Sequence, residues 1–294
     1  MEIKNIPDYK GIKPNSEDDR VLPLKEVAES ERGEVIGIEK FSTGFKKFDE
    51  AMKGGFSIGD FVAIGGRESQ GKTSFAQTLT YYFSKQAIPC LWFSYETYNH
   101  ELDKKFRTMG IDEDYLVYVP AKNTSNNLDW IKDKIKEGVS KYSTKVVFID
   151  HIRKLVSQKA NRAGNKNQFL SAISSELKDL AKELEIVIVT MVHLNKLRGS
   201  IPTNEDIADT SDIANEADCV MLIWRLRNEE KTSMKLGEDR TEDGDEEMSN
   251  ESRIKMTKAR PTGFTPIIKT YYKNDKFELI TNNYDEHIPS EKSN

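Results

Sequence analysis

One octapeptide has the residue types and the spacing of a loop that wraps around phosphate. Residues 66–73 read GRESQGKT and match the pattern G-x-x-x-x-G-K-[ST]. Glycine lets the backbone approach phosphate closely, and the N–H groups of the loop and of a following helix carry partial positive charge. Lys72 adds a full charge for the β- and γ-phosphates, and the Thr73 hydroxyl can bind Mg²⁺. The pattern therefore predicts a site for ATP and Mg²⁺. The residues predicted to bind nucleotide are Gly66, Arg67, Glu68, Ser69, Gln70, Gly71, Lys72, Thr73 and Ser74.

Three more side chains with useful chemistry follow apolar runs that predict strands. Asp150 follows VVFI and can hold Mg²⁺ directly or through water, so Thr73 and Asp150 are the predicted metal ligands. Glu96 ends the run CLWFSY and can position or deprotonate water, and His193 follows IVIVTMV and can donate to the γ-phosphate. The carboxyl ends of parallel strands share one edge of a sheet, so we expect these residues beside the loop. The structural alternatives are a helix cap, a solvated strand-end acid and an ordinary loop histidine.

The segments that position these residues alternate between strands and helices. Helical spacing is predicted over residues 74–85, 99–109, 128–142 and 169–184. The apolar runs between them do not alternate with polar residues, which indicates strands covered on both faces. Residues 253–281 instead predict an antiparallel meander with turns at 261–263 and 273–275. The predicted fold class is α/β, with a mostly parallel central sheet flanked by helices and a C-terminal antiparallel β meander.

Composition limits the remaining possibilities. The chain has 294 residues, 32% of them charged, and no apolar run approaches the roughly 18 residues that a membrane span needs, so we expect no membrane partner. Cys90 and Cys219 each lie in an apolar run and are predicted to be buried thiols of a reducing compartment. The net charge of −5 is uneven, because residues 229–251 contain ten acids and three bases. We expect a flexible arm at 1–37, an ATPase domain at 38–283 with an acidic disordered loop at 229–252, and a disordered tail at 284–294.

Several spans together resemble the RecA-like motor domain of DnaB-type hexameric replicative helicases. The match runs over about residues 38–281. Histidine at the position of His193 is similar to Twinkle and certain phage primase-helicases, whereas most of the family has glutamine there. The spans are FSTGFKKFDEAMKGGF at 41–56, the phosphate loop, FSYE at 93–96 beside F-S-L-E, VFIDH at 147–151 beside V-x-I-D-Y, LKDLAKEL at 177–184 beside L-K-x-L-A-K-E-L, VHLNK at 192–196 beside S-Q-L-N-R, and KARPTG at 258–263 beside K-x-R-x-x-G.

The resemblance implies a RecA-like P-loop NTPase fold and a function. Glu96 would be the catalytic carboxylate and His193 the sensor of the γ-phosphate. Arg260 would reach into the neighbouring subunit's site as an arginine finger, with Lys258 as its companion. The implied partners are single-stranded DNA, further copies of the chain in a ring, most simply a hexamer, and a primase or a loader. The implied setting is DNA replication in the cytoplasm of a bacterium or a phage-infected cell.

The sequence departs from the family pattern in a segment that contacts DNA. Ala208 and Ser211 stand where the family has arginine and glycine. The basic residues of 154–166, with Lys196 and Arg198, are a candidate replacement that would track a phosphate backbone without reading sequence. Two other functions therefore stay open: a RecA/RadA-like recombination ATPase, and a KaiC-like regulatory ATPase that does not unwind DNA.

Overall fold

The structure of the chain is a computed structural model. It describes residues 24–25, 39–111, 115–122, 125–156, 166–195, 201–207, 212–227 and 248–280, without the side chains of residues 166, 227 and 248. The chain divides into two compact units, residues 1–39 and 40–294. The sheet and the candidate site both belong to the second unit. Most of the predicted arm, of the acidic loop and all of the predicted tail lie outside the described residues.

A nine-stranded mixed sheet forms the centre of the second unit, as far as the described residues show it. Its order is β11-β10-β9-β8-β3-β7-β6-β4-β5, and the strands from β8 to β5 are parallel to their neighbours. The last three strands add to this sheet as an antiparallel meander. The strands are β1 (Lys40–Phe41) and β2 (Phe56–Ser57), which pair apart from the main sheet, then β3 (Phe61–Gly66), β4 (Cys90–Ser94), β5 (Val117–Tyr118), β6 (Val146–Asp150), β7 (Val187–His193), β8 (Cys219–Arg227), β9 (Met248–Ala259), β10 (Ile267–Lys273) and β11 (Lys276–Leu279).

Helices cover both faces of the sheet, and two buried clusters lie between these layers. Along β3 the side chains alternate, so that Val62 and Ile64 join one cluster and Phe61 and Ala63 join the other. The first cluster packs under α1, α2 and α3, and the second under α4, α5 and α6. Strands buried on both faces explain why their sequences are apolar throughout. The helices are α1 (Lys46–Ala51), α2 (Lys72–Lys85), α3 (Asn99–Thr108), α4 (Leu128–Tyr142), α5 (Lys166–Glu183) and α6 (Asp212–Glu216).

The helices begin and end where local chemistry favours it. The side chain of Asn127 caps α4 by accepting a hydrogen bond from the backbone N–H of Asp129 at 2.9 Å. Ile131 and Ile135, four residues apart, then lie on the buried face of α4. The helix ends at Ser143, which has a left-handed conformation. The predicted bounds of 128–142 are therefore confirmed for this helix.

The acidic segment ends earlier than its composition predicts. The loop was expected to reach residue 252, but β9 begins at Met248. Ser252 pairs with Arg225 of β8 and Met248 with Arg227, and both Ser249 and Ser252 are buried. Backbone pairing with a long β8 therefore outweighs the polar composition of residues 248–252. The turn predicted at 273–275 is present as a hairpin in which Asn274 and Asp275 both have positive φ, which these two residue types tolerate.

The two cysteines are buried free thiols, as predicted. Burial raises the pKa of both thiols, so neither is a thiolate at neutral pH. Within the described part of the chain, no helix combines the length and the apolar character needed to cross a membrane.

Candidate active site

The phosphate loop joins the end of β3 to the start of α2. Gly71 has φ +96° and caps α2, which places the N–H groups of the first helical turn around the loop. A Cβ at Gly71 would lie 2.9 Å from Cζ of Phe277, and a Cβ at Gly66 would lie 2.9 Å from Cγ2 of Ile223. Both glycines are therefore required by the packing of β8 and β11 behind the loop, besides their use in approaching phosphate.

Lys72 folds back over the loop. Its Nζ donates a hydrogen bond to the backbone carbonyl of Arg67 at 2.9 Å, and the residue is only 8% exposed. Burial lowers the pKa of Lys72, while the nearby carboxylates of Asp150, Glu96 and Glu68 raise it. The charge thus lies inside a cradle of backbone groups, which is where a phosphate would replace the Arg67 carbonyl as its partner.

Thr73 and Asp150 come together at the loop, as the sequence predicts. The Thr73 hydroxyl donates to Oδ2 of Asp150 at 2.8 Å, and Asp150 is 1% exposed. Burial raises the pKa of Asp150 to about 6, against the hydrogen bond from Thr73, which lowers it. A buried carboxylate beside a hydroxyl offers the hard oxygen ligands that Mg²⁺ binds, and a dication there would relieve the cost of burying the charge. These residues therefore fit the metal.

Glu96, His151 and His193 form a second group at the same edge of the sheet. Glu96 lies two residues beyond β4, after a turn in which the Ser94 hydroxyl donates to the backbone carbonyl of Thr97. Oε1 of Glu96 is 3.2 Å from Nε2 of His151, which directly follows β6. The ring of His151 meets that of His193 at a centroid distance of 4.5 Å and an angle of 84°. His193 is the last residue of β7 and lies opposite Gly66 in the register, at the start of the phosphate loop.

The surroundings of His193 favour its neutral form. Burial lowers its pKa to about 4, and the positive charges of Lys72 and Arg153 act in the same direction. A neutral imidazole keeps one N–H donor, so His193 can still donate a hydrogen bond at neutral pH.

Lys258 and Arg260 lie at the opposite edge of the sheet. Ala259 of β9 pairs with Cys219 of β8, which pairs with Val62 of β3, whereas the phosphate loop begins at Gly66. The four residues from Val62 to Gly66 correspond to roughly 13 Å along the strand. Because β9 is antiparallel to β8, Arg260 lies still farther from the loop. The two cations therefore cannot reach the phosphate loop of their own chain.

Within the chain both cations have partners at that lower edge. Arg260 donates to Oδ1 of Asp218 at 3.0 Å and to the carbonyl of Asn215 at 3.1 Å, yet its side chain stays 51% exposed. Lys258 donates to the carbonyls of Ala214 and Asn215 at 2.8 and 2.7 Å. Burial and the charge of Arg260 lower the pKa of Lys258. The exposed guanidinium can still face a neighbouring molecule.

The structure brings the predicted loop residues, Asp150, Glu96 and His193 to one edge, and it separates Lys258 and Arg260 from them. Their roles stay predictions. Sequence reasoning gave His151 no role, although histidine directly after the strand-end Asp150 was a signal that a second imidazole lies at this edge. It also missed Gln70, whose side chain accepts a hydrogen bond from the N–H of Arg225 at 2.7 Å and ties the loop to β8.

Several predicted DNA contacts lie outside the described residues. They are Lys159, Arg162, Lys196, Arg198, Ala208 and Ser211, together with the side chain of Lys166. Lys154, which is described, is exposed at the end of the short 3-10 turn that follows His151.

Comparison with known proteins gives one consistent result. A model of the family of DnaB-like helicase C-terminal domains matches residues 40–113 and 113–279. The replicative DNA helicase DnaB of Treponema pallidum (strain Nichols) is 27% identical over 237 residues, which cover 71% of this chain and 52% of that protein. That of Helicobacter pylori (strain J99) is 24% identical over 290 residues, which cover 87% of this chain and 57% of that protein. The chain spans about half the length of these relatives.

Solved structures agree on the fold. An ATPase domain superposes with a TM-score of 0.68 at 19% identity and covers 88% of this chain and 97% of its own. A DnaB-like replicative helicase, studied with its interactions with primase, superposes with a TM-score of 0.67 at 19% identity and covers 90% of this chain and 68% of its own. The predicted fold class, a RecA-like P-loop NTPase domain with a C-terminal antiparallel meander, is confirmed. With its family model matching most of the sequence, the chain belongs to the family of DnaB-like helicase C-terminal domains.

Proposed function

We propose that residues 38–283 are the motor domain of a ring-forming replicative DNA helicase, which hydrolyses Mg²⁺-ATP and moves along single-stranded DNA. Family membership supports the class of activity. The observation that carries the proposal is the position of the charged groups on the two edges of the sheet. One edge holds the phosphate loop with Asp150 and Glu96, and the opposite edge holds Arg260. A head-to-tail ring brings these edges of adjacent copies together.

Each chain would bind the triphosphate through its own loop. The N–H groups around Gly71 and the Lys72 ammonium would hold the phosphates, and Thr73 and Asp150 would hold Mg²⁺. The metal supplies neutralisation of the charge on the phosphate oxygens. The buried position of Lys72 makes its charge more effective there than in water.

Glu96 would orient and deprotonate the attacking water. Its side chain is 44% exposed, so a water molecule can reach it, and its contact with Nε2 of His151 holds the carboxylate in one orientation. His193, opposite Gly66 and neutral, would donate to the γ-phosphate and lose that contact when the phosphate leaves. Loss of one hydrogen bond at the end of β7 is a local signal that hydrolysis has occurred.

Arg260 of the next copy would complete the site. A planar guanidinium with several N–H donors suits charge that is spread over the oxygens of the transferring phosphoryl group. Arg260 would give up its contacts with Asp218 and Asn215 to do so, and Lys258 would support it at the interface. We expect a primase or a loader as further partners, and the cytoplasm as the location.

The test is the rate of ATP hydrolysis with and without single-stranded DNA, together with the mass of the protein in solution with nucleotide. We expect stimulation by single strands, binding that weakens with salt, and a ring-sized particle. A duplex with a single-stranded tail then distinguishes unwinding from strand exchange. Strand exchange without unwinding would favour a recombination ATPase. Steady hydrolysis that single strands do not change would favour a regulatory ATPase, and a monomer with full activity would contradict the proposal.

The control for this test is Lys72→Ala. The variant should lose nucleotide binding and turnover, because the cradle keeps its shape but lacks the charge. Unchanged turnover in this variant would show that the hydrolysis comes from a contaminant or from another site.

A further inference from the structure

We propose that Glu96, His151 and His193 form a binding site for a divalent first-row transition metal of the zinc type, separate from the Mg²⁺ ligands Thr73 and Asp150. The ligand atoms of these three side chains all lie within 4.8 Å of one another. Two imidazoles and one carboxylate are the ligand set of many zinc sites that keep a fourth position open.

Three neighbouring strands supply one ligand each. Glu96 follows β4, His151 follows β6, and His193 ends β7, and these strands are adjacent in the order β7-β6-β4. The positions of the ligands are therefore set by the sheet and its register more than by a long loop. A site on rigid elements needs little rearrangement to bind its ligand.

The distances suit a small cation. Tetrahedral zinc, with bonds of about 2.0–2.1 Å, places its ligand atoms roughly 3.3 Å apart. Oε1 of Glu96 and Nε2 of His151 are already 3.2 Å apart. The perpendicular contact of the two rings, with centroids 4.5 Å apart, lets nitrogen atoms of both point into one space after a small rotation of His193.

Burial and charge decide which metal the site prefers. His151 is 7% exposed and His193 is half-buried and neutral, so the nitrogen ligands are shielded and able to coordinate. Imidazole favours zinc and its neighbours in the first transition row over Mg²⁺, which prefers oxygen ligands. Lys72 and Arg153 repel a dication, so we expect weaker binding than at a structural zinc site with four ligands.

The consequence for the motor rests on the proposed function. A metal on Glu96 occupies the carboxylate that would deprotonate water, so Zn²⁺ should inhibit hydrolysis without preventing nucleotide binding at Lys72. Inhibition is therefore a second readout, and metal binding itself can be measured whether or not the chain is a helicase.

The experiment uses the full chain, without nucleotide or Mg²⁺, titrated with Co²⁺ as a spectroscopic probe and with Zn²⁺ by calorimetry. We expect one Co²⁺ per chain with visible d–d absorption, which Zn²⁺ displaces. His151→Gln and His193→Gln should each weaken Zn²⁺ binding by about tenfold or more. The chain has four histidines, so His100→Gln and His287→Gln are matched controls that should bind as the parent does.

Folding and alternative ligands have separate readouts. Binding of a fluorescent nucleotide at the phosphate loop should persist in His151→Gln, which shows that the sheet edge is intact. Whatever turnover His151→Gln retains should be insensitive to Zn²⁺. Absence of saturable Zn²⁺ binding, unchanged binding in both variants, or near-ultraviolet thiolate bands from Cys90 or Cys219 would each overturn the proposed site.

Discussion

The two carboxylates of the candidate site differ in their surroundings, and the difference suggests different roles. Asp150 is 1% exposed and accepts a hydrogen bond from Thr73, whereas the Glu96 side chain is 44% exposed and contacts His151. The buried acid has an elevated pKa that a cation would lower, while the exposed acid is open to water. Environment thus separates a metal ligand from a candidate base within one sheet edge.

Replacing Glu96 tests this separation. In Glu96→Gln we expect hydrolysis to fall by about 10²-fold or more, because the amide cannot take a proton from water. Nucleotide affinity should stay close to that of the parent, since the loop and Asp150 are unchanged. Single-turnover hydrolysis and the binding of a fluorescent nucleotide measure the two effects. The control is Glu176→Gln, an exposed acid on α5 paired with Lys132. Full turnover in Glu96→Gln would exclude it as the base.

Asp60, at the other end of β3, should make stability depend on pH. Burial raises its pKa to about 6, the nearby charge of Asp218 adds to the shift, and the hydrogen bond from the N–H of Ser57 at 2.8 Å opposes it. Since the folded state holds this proton more tightly than the unfolded chain, with its ordinary pKa of 3.8, the free energy of unfolding falls as pH rises from about 4 through 6.

Asp60→Asn should remove this dependence. The amide oxygen can still accept from Ser57, so the variant should be more stable than the parent by about 1–3 kcal/mol at pH 7.5 and equal to it near pH 4. Urea unfolding at the two pH values measures the difference. Asp133→Asn, an exposed acid on α4, should change neither value. A difference of the same size at both pH values would show that the effect is not ionisation of Asp60.

At the scale of elements, the C-terminal meander supports the phosphate loop from behind. Phe277 of β11 packs against Phe75 of α2 with ring centroids 6.1 Å apart, and its N–H donates to the Thr78 hydroxyl at 3.0 Å. Its ring also lies where a side chain at Gly71 would be. The start of α2 is therefore fixed by a strand about two hundred residues later in the chain.

Gly71→Ala tests this support, with Gly110→Ala as the matched control. Both glycines have positive φ, +96° and +81°, so alanine costs about 1–2 kcal/mol of stability at either position. A Cβ at Gly110 meets nothing within 4 Å, whereas one at Gly71 would contact Phe277. We expect both variants to lose stability and only Gly71→Ala to lose nucleotide affinity. Thermal unfolding and nucleotide titration measure these effects, and equal affinity in the two variants would contradict the role of Phe277.

The same elements show what the sequence could predict. Runs such as IVIVTMV predict buried parallel strands because every residue must be apolar when both faces are covered, and β7 follows that run closely. The loop residues 66–73 were identifiable because phosphate binding demands glycine, lysine and threonine at fixed spacing. These are local constraints, written in consecutive residues.

Contacts between distant elements were not predictable in this way. The packing of Phe277 on Gly71 and the bond from Arg225 to Gln70 depend on the order β11-β10-β9-β8-β3, which no local pattern encodes. The early start of β9 likewise depends on its partner β8, because the polar residues 248–252 have little tendency to form a strand alone. The proximity of His151 to His193 follows from the pairing of β6 with β7.

At the scale of the whole molecule, the decisive feature is the distance between the two sets of charges. The phosphate loop lies at the carboxyl edge of the sheet and Arg260 at the opposite edge, held near Asp218. If Arg260 acts in hydrolysis, it must act on another copy of the chain. An arrangement in which each copy gives Arg260 to the next is head to tail, and it closes into a ring when the rotation permits.

Mixing two inactive variants tests whether sites are shared in this way. Lys72→Ala has a defective loop and an intact Arg260, and Arg260→Ala has the reverse. Each alone should be inactive in the assembled state. In a random equal mixture, roughly a quarter of the sites combine an intact loop with an intact arginine, so hydrolysis should recover to about that fraction of the parent rate. Mixing Lys72→Ala with Glu96→Gln is the matched control, because both changes lie in the same half of the site and no pairing restores it. Recovery in the control, or none in the test mixture despite assembly, would mean that Arg260 does not complete a neighbour's site.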